Sequence, residues 1–189
     1  MGPETTVETT HEDFWELVDR ERHSLWQLAR GLARSYDEAC DLMSDTWVAA
    51  YRSFPNLRDP SAFHAFVSTI AVRLHRRRRW RGRLFVPLSE AGEAPYELTS
   101  ESAYDLAVLI AALNRLPLRE REALVLFELS GLSLKEIQTI QGISLSGVKS
   151  RLARARRSIK TMLSDTPTEL SEAVLSTGLL DATLRFQQS

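Results

Sequence analysis

Apolar residues recur along this chain at helical spacing. Phe14, Leu17, Val18, Leu25, Leu28, Ala29 and Leu32 fall on one face at about 3.6 residues per turn. Ala39, Met43, Trp47, Ala50 and Phe54 repeat the pattern until Pro55 ends it. Phe63, Phe66, Val67, Ile70 and Leu74 form a third stripe after the break from Pro55 to Pro60. Pro60 with Ser61 reads as the helix start, the capping residue being left open. Three such helices can share one core.

From Gly82 to about Ser102 the periodicity fails, and Pro87, Gly92 and Pro95 appear among acids and serines, which predicts an extended linker. A second helical group starts near Tyr104 or Asp105 and runs to Leu116, where Pro117 breaks it. A helix from Arg119 to Leu129 follows, with Gly131 just past its end. Ser133 is placed to cap a short helix, Leu134 to Ile140, with Glu136 completing a capping box. Gly142 ends it, and Ser144 or Ser146 opens a long basic helix to about Leu163. Leu170, Val174, Leu175, Leu179, Leu180, Leu184 and Phe186 suggest an amphipathic C-terminal segment. With strand signals nearly absent, the expected fold is all-α, two small helical domains joined by a flexible acidic linker. The expected segments are an acidic, disordered 1–12, a first domain 13–81, a linker 82–103, a second domain 104–164 and an extension 165–189.

The chain has 189 residues, 43% hydrophobic and 26% charged, an ordinary globular composition. Cys40 stands alone, which excludes an internal disulfide and a Cys-rich metal site. No apolar run reaches the roughly 18 residues of a membrane span, and the N-terminus is acidic where a secretory signal would be basic. A cytoplasmic location and no membrane insertion are therefore expected. The formal net charge of −1 averages over segments of opposite sign. Arg73, Arg76, Arg77, Arg78, Arg79, Arg81 and Arg83 form one block without an acid, and Lys149, Arg151, Arg154, Arg156, Arg157 and Lys160 form another. Between them lie Glu90, Glu93, Glu97, Glu101 and Asp105. Two basic blocks at the ends of amphipathic helices can face one polyanion at two places.

The most specific local pattern is Gly131-Leu-Ser-Leu-Lys-Glu-Ile137, Gly142-Ile-Ser144 and Val148-Lys-Ser-Arg-Leu152. A short helix, a glycine turn and a second, basic helix make a helix-turn-helix. Leu134, Ile137 and Ile140 would pack the first helix, and Ile143, Val148 and Leu152 the second. Lys149, Ser150, Arg151, Arg154 and Arg157 are then left on the outer side for a major groove and its phosphates. The plainer alternative is a helical hairpin with a solvated basic face.

The stretch Leu109 to Leu163, with Ala112-Leu-Asn-Arg-Leu-Pro117, Arg119-Glu-Arg-Glu122, Glu136-Ile137 and Val148-Lys-Ser-Arg-Leu152, closely resembles region 4 of bacterial sigma factors of the extracytoplasmic-function type. Glu38-Ala-Cys-Asp-Leu-Met-Ser-Asp-Thr-Trp47 and Phe63-His-Ala-Phe-Val-Ser-Thr-Ile-Ala71 resemble region 2 of the same family. The resemblance implies a subunit that binds core RNA polymerase and directs promoter-specific initiation. It implies reading of the −35 duplex by Lys149, Ser150, Arg151, Ala153, Arg154 and Arg157. It implies handling of the melted −10 strand by Arg58, Phe63, His64, Thr69, Arg73, Arg76 and Arg77. Glu38, Asp41, Ser44 and Asp45 match the face that docks on the clamp helices of the largest polymerase subunit, with the flap of the second subunit as a further contact. The acidic linker matches the segment threaded toward the polymerase active site, and an anti-sigma factor is the implied regulator of a chain that is monomeric when free. Some positions depart from the family pattern: Arg73 stands where Asn is usual, Ser68 for an aromatic residue, Cys40 for an acid, Ser146-Gly147 for Gly-Thr and Gln138 for Ala. Together they imply an unusual promoter sequence.

No catalytic constellation emerges. His11, His23, His64 and His75 lack metal-ligand spacing and read as surface or partly buried residues, so no metal or cofactor is expected. Glu120 and Glu122 read as solvated charges or ion pairs, Trp15, Trp26 and Trp47 as core or partly core, and Cys40 as an inert, exposed thiol rather than a redox switch. Trp80 is open to two readings, a platform for a base or a cap on the domain. A free-standing helix-turn-helix regulator, with Phe14 to Trp80 as a dimerisation or sensing unit, is the runner-up function. A nucleic-acid enzyme using His64 or His75 is a distant third.

Overall fold

The computed structural model describes residues 11–82 and 100–164, and all their regular elements are helical. The expected linker core (83–99) and the C-terminal extension lie outside the described residues, as does the chain before residue 11. Helices α1 (His11–Leu32), α2 (Tyr36–Ser53) and α3 (Phe63–Gly82) make the first unit. Helices α4 (Ser100–Arg115), α5 (Leu118–Leu124), α6 (Leu134–Gln141) and α7 (Leu145–Ser164) make the second. Helix α4 starts at Ser100, ahead of the Tyr104 or Asp105 start that the apolar spacing suggests. None of these helices is long and apolar enough to cross a membrane.

Local signals account for most boundaries. Ser35 caps α2 by accepting from the Glu38 amide at 3.1 Å, while the Glu38 carboxylate accepts from the Arg34 amide at 2.8 Å. Asp59 accepts from the Ser61 amide and hydroxyl, so it caps a 3₁₀ turn, Pro60–Ala62, and the α-helix begins only at Phe63. Pro117 opens α5, which does not continue as an α-helix to Leu129. It passes instead into a π-helical turn, Val125–Leu129, closed by the Ser130 amide on the Val125 carbonyl at 3.0 Å.

Phe14 centres an aromatic cluster in the first unit. Its ring meets Phe54, Phe63, Tyr51 and Trp15 edge-on, at centroid distances of 5.0, 5.9, 5.2 and 5.2 Å. Leu17, Val18, Ala50 and Val67 complete this cluster. The larger buried cluster runs through both units, joining Leu25, Leu28, Leu32, Ala71 and Val72 to Leu113, Val125, Leu126, Ile137, Val148 and Leu152. The two units therefore pack on each other through α1 rather than standing apart. Gly31 marks the closest approach, because a Cβ there would lie 2.7 Å from Val125 Cγ1 and 3.0 Å from Leu129 Cδ1. Only a residue without a side chain lets the π-helical turn lie against α1.

Candidate nucleic-acid interface and docking face

The helix-turn-helix is built by its caps. Ser133 and Glu136 form a reciprocal capping box on α6. Gly142 then takes the left-handed conformation (φ 63°) that reverses the chain. Ser144 opens α7 by accepting from the Gly147 amide at 3.1 Å, which decides between the two candidate serines, and its hydroxyl lies 3.0 Å from that of Ser146. Helix α7 buries Val148, Leu152, Ala155, Ile159 and Leu163. This register turns Lys149, Ser150, Ala153, Arg154 and Arg157 to the exposed side.

Not all the basic residues of α7 are free to meet a ligand. Arg154 donates to Glu120 at 2.7 Å although its side chain is 53% exposed. Arg151 is partly buried and donates to Gln141 Oε1 at 2.9 Å, while Gln141 Nε2 donates to the Arg119 carbonyl at 3.0 Å. Gln141 thus ties α6 to both α5 and α7, a role its amide gave no reason to expect. Arg156 belongs to the frame: it donates to Glu128 at 2.5 Å and lies over the Phe127 ring.

The α3 region sorts its expected nucleic-acid residues into three kinds. Arg58, Arg73 and Arg77 are exposed, and Thr69 is partly exposed, its hydroxyl turned to the Ala65 carbonyl. Phe63 is 2% exposed and part of the aromatic cluster, so its ring is packing and offers no free face to a base. His64 and Arg76 point across to the second unit. His64 sits 2.5 Å from Glu21 and 2.7 Å from the Ser130 carbonyl. Arg76 forms a two-pronged pair with Glu122, Nε to Oε1 at 3.0 Å and Nη2 to Oε2 at 2.7 Å.

Of the two readings of Glu122, a solvated charge or an ion pair, the structure has the second: the side chain is fully buried, and Arg119 also donates to it at 3.3 Å. His75 is 1% exposed, not a surface residue, and neither ring nitrogen has a hydrogen-bond partner. Burial, reinforced by the charges of Arg121, Arg79, Arg34 and Arg76, lowers its pKa to about 3. Arg121 is buried beside it, donating to Asn114, and burial pushes its pKa down to about 10. Trp15, expected in or near the core, is 57% exposed and stacks on Tyr51.

On α2, Asp41 and Asp45 lie on the outer face with Ser44 and Val48. Arg78 from α3 donates to Asp45 at 2.5 Å and to the Asp41 carbonyl at 3.1 Å, while Glu38 is half-buried in its cap. Cys40 beside them is partly buried rather than exposed.

Two family models match this chain in order: sigma-70 region 2 over residues 17–83 and sigma-70 region 4 over residues 106–159. The chain belongs to the sigma-70 family of RNA polymerase sigma factors, in its extracytoplasmic-function (ECF) branch. It is 30% identical over 154 residues to the ECF sigma factor SigM of Mycobacterium tuberculosis, covering 79% of this chain and 76% of SigM. It is 28% identical over 160 residues to the sigma factor NccH of Alcaligenes xylosoxydans xylosoxydans, covering 79% and 86%. The sigma factor RpoE of Bartonella quintana, solved in complex with the anti-sigma factor NepR, superposes with a TM-score of 0.70 at 28% identity, over 81% of this chain and 98% of that one. The protein is therefore a sigma factor, a polymerase subunit that directs promoter-specific initiation. The free-standing regulator is not favoured, because region 2 occupies the half it would need for dimerisation or sensing.

Proposed function

We propose that the two units act as one promoter clamp held at fixed separation by core polymerase. Helix α7 reads the −35 duplex through Lys149, Ser150, Ala153, Arg154 and Arg157, with Arg151 bracing the helix from its partly buried position. The exposed side of α3 and the loop before it, through Arg58, Thr69, Arg73 and Arg77, guide the melted −10 strand. The outer face of α2 docks on the clamp helices. The register of α7 carries this reading: the positions that face the core are apolar, and Lys149, Arg154 and Arg157 face out. Each unit makes only a few phosphate contacts, so polymerase supplies the effective concentration that joins them. The chain works in the cytoplasm, has no catalytic role of its own, and answers to an anti-sigma factor, as the NepR bound to RpoE in the Bartonella quintana complex suggests.

Gel filtration of the purified chain with bacterial core polymerase tests this directly. Co-elution as a near-stoichiometric complex is expected, and separate elution of the intact chain would remove the sigma reading. Asp45→Arg should weaken that complex on the order of tenfold, since it sets a cation beside Arg78 and reverses charge on the docking face. Promoter preference should stay as it was; a variant that bound core normally but chose other promoters would displace docking from α2. Arg154→Ala should weaken use of a −35 element by about 1–3 kcal/mol in an initiation assay. Unchanged initiation from a −35-dependent promoter would take Arg154 out of the interface.

A further inference from the structure

We propose that Trp80, in line with Arg73 and Arg77 on the exposed side of α3, is a stacking platform for an unpaired promoter base. The inference rests on the sigma-factor reading and adds a residue to it. The structure sorts the Arg run of α3 by direction. Arg76 is taken by Glu122 and Arg78 by Asp45, and Arg79 lies with the buried His75 and Arg121. Arg73 and Arg77 are exposed. Trp80 follows them at the next turn, so at about 3.6 residues per turn the three share one stripe.

Trp80 is 71% exposed. Among the described side chains of α3 the last buried one is His75, more than a turn earlier, and the indole stands clear of that core. Among the described residues the other exposed aromatic pair, Trp15 and Tyr51, already stacks on itself, with centroids 6.3 Å apart at 30°. The indole of Trp80 instead stands in a run, Arg73 to Arg83, that contains no acid. Guanidinium groups spaced along a helix suit consecutive phosphates, and an open π surface in line with them suits a base face. A base inside a duplex has its faces covered by its neighbours, so the ring selects bases that have left the stack. The occupant is thus single-stranded DNA on the outer side of α3.

The test uses holoenzyme, prepared from the full chain and core polymerase and checked by co-elution. Its affinities are measured by fluorescence anisotropy for a labelled strand of about twenty thymidines and for a duplex of the same length, with core alone subtracted. Trp80→Ala should lower affinity for the strand about tenfold and leave the duplex within about twofold, and Trp80→Phe should recover most of the loss, because stacking tolerates any aromatic ring. Equal losses on strand and duplex, or no loss on the strand, would overturn the proposal. With holoenzyme intact, such a result removes the role of Trp80 alone. Failure of holoenzyme to form removes the sigma reading and this proposal with it.

Discussion

Glu122→Ala lowers the thermal unfolding midpoint by roughly 10 °C. The carboxylate is completely buried and accepts three hydrogen bonds from Arg76 and one from Arg119. Removing it leaves the partly buried Arg76 guanidinium without its carboxylate and with only the Ile140 carbonyl, 3.5 Å from Nη1. Breaking one side of a buried ion pair costs about 3 kcal/mol, far above the value of a surface pair. For a unit of this size each kcal/mol moves the midpoint by about 3 °C. Calorimetry on the alanine variant, with Glu122→Gln as a companion that keeps an acceptor but loses the charge, reads both terms. The glutamine variant should fall between wild type and alanine. A midpoint within about 2 °C of wild type for both would show that Arg76 finds water when its partner is gone.

Acid sensitivity is the second large effect. In the fold His75 is neutral, its pKa lowered to about 3 by burial and by Arg121, Arg79, Arg34 and Arg76, although the Glu38 carboxylate lies 3.9 Å from its Nδ1. In the unfolded chain it takes a proton near pH 6.5. The stability this imidazole contributes is complete above pH 6.5 and is lost as pH falls from there toward 3, by about 1.4 kcal/mol per unit. By pH 5, still above the usual carboxylate range, the loss is about 2 kcal/mol. Urea unfolding at pH 7 and pH 5 of wild type and His75→Phe isolates it, and the variant should lose about 2 kcal/mol less over that interval. Equal losses in the two proteins would mean that the imidazole reaches water in the native state.

The features legible in the sequence are the ones encoded within a turn or two. Ser133 and Glu136 are three residues apart, and the box they form is in the structure. Gly142 has the positive φ that a tight reversal needs, and the apolar spacing of α7 set which of its basic residues face out. What escaped sequence reasoning depends on partners far along the chain. Glu122 reads equally as a solvated charge or an ion pair until Arg76, 46 residues earlier, is brought against it. His75 reads as a surface histidine for the same reason, and His64, on a stretch expected to meet DNA, reaches a carbonyl 66 residues away. Phe63 is a residue that the resemblance assigns to the melted strand, yet the rings of Phe14 and Phe54 claim it for the core. The π-helical turn leaves no mark in periodicity, since one extra residue per turn shifts the apolar face without breaking it. Gly31 offered one signal that could have been used: a glycine in the middle of an amphipathic helix is costly unless another chain segment lies against it.

The internal pairing of the basic residues also changes how binding responds to ionic strength. Arg76 and Arg154 each rest on a carboxylate of the protein, Glu122 and Glu120. A phosphate that captures the half-exposed Arg154 guanidinium would exchange one bound anion for another, while Arg76 stays on the buried Glu122. The net release of small ions is smaller than the number of phosphates touched, whereas Arg73 and Arg77 give the ordinary release. The slope of affinity against salt therefore counts only part of the contacts this protein makes with DNA.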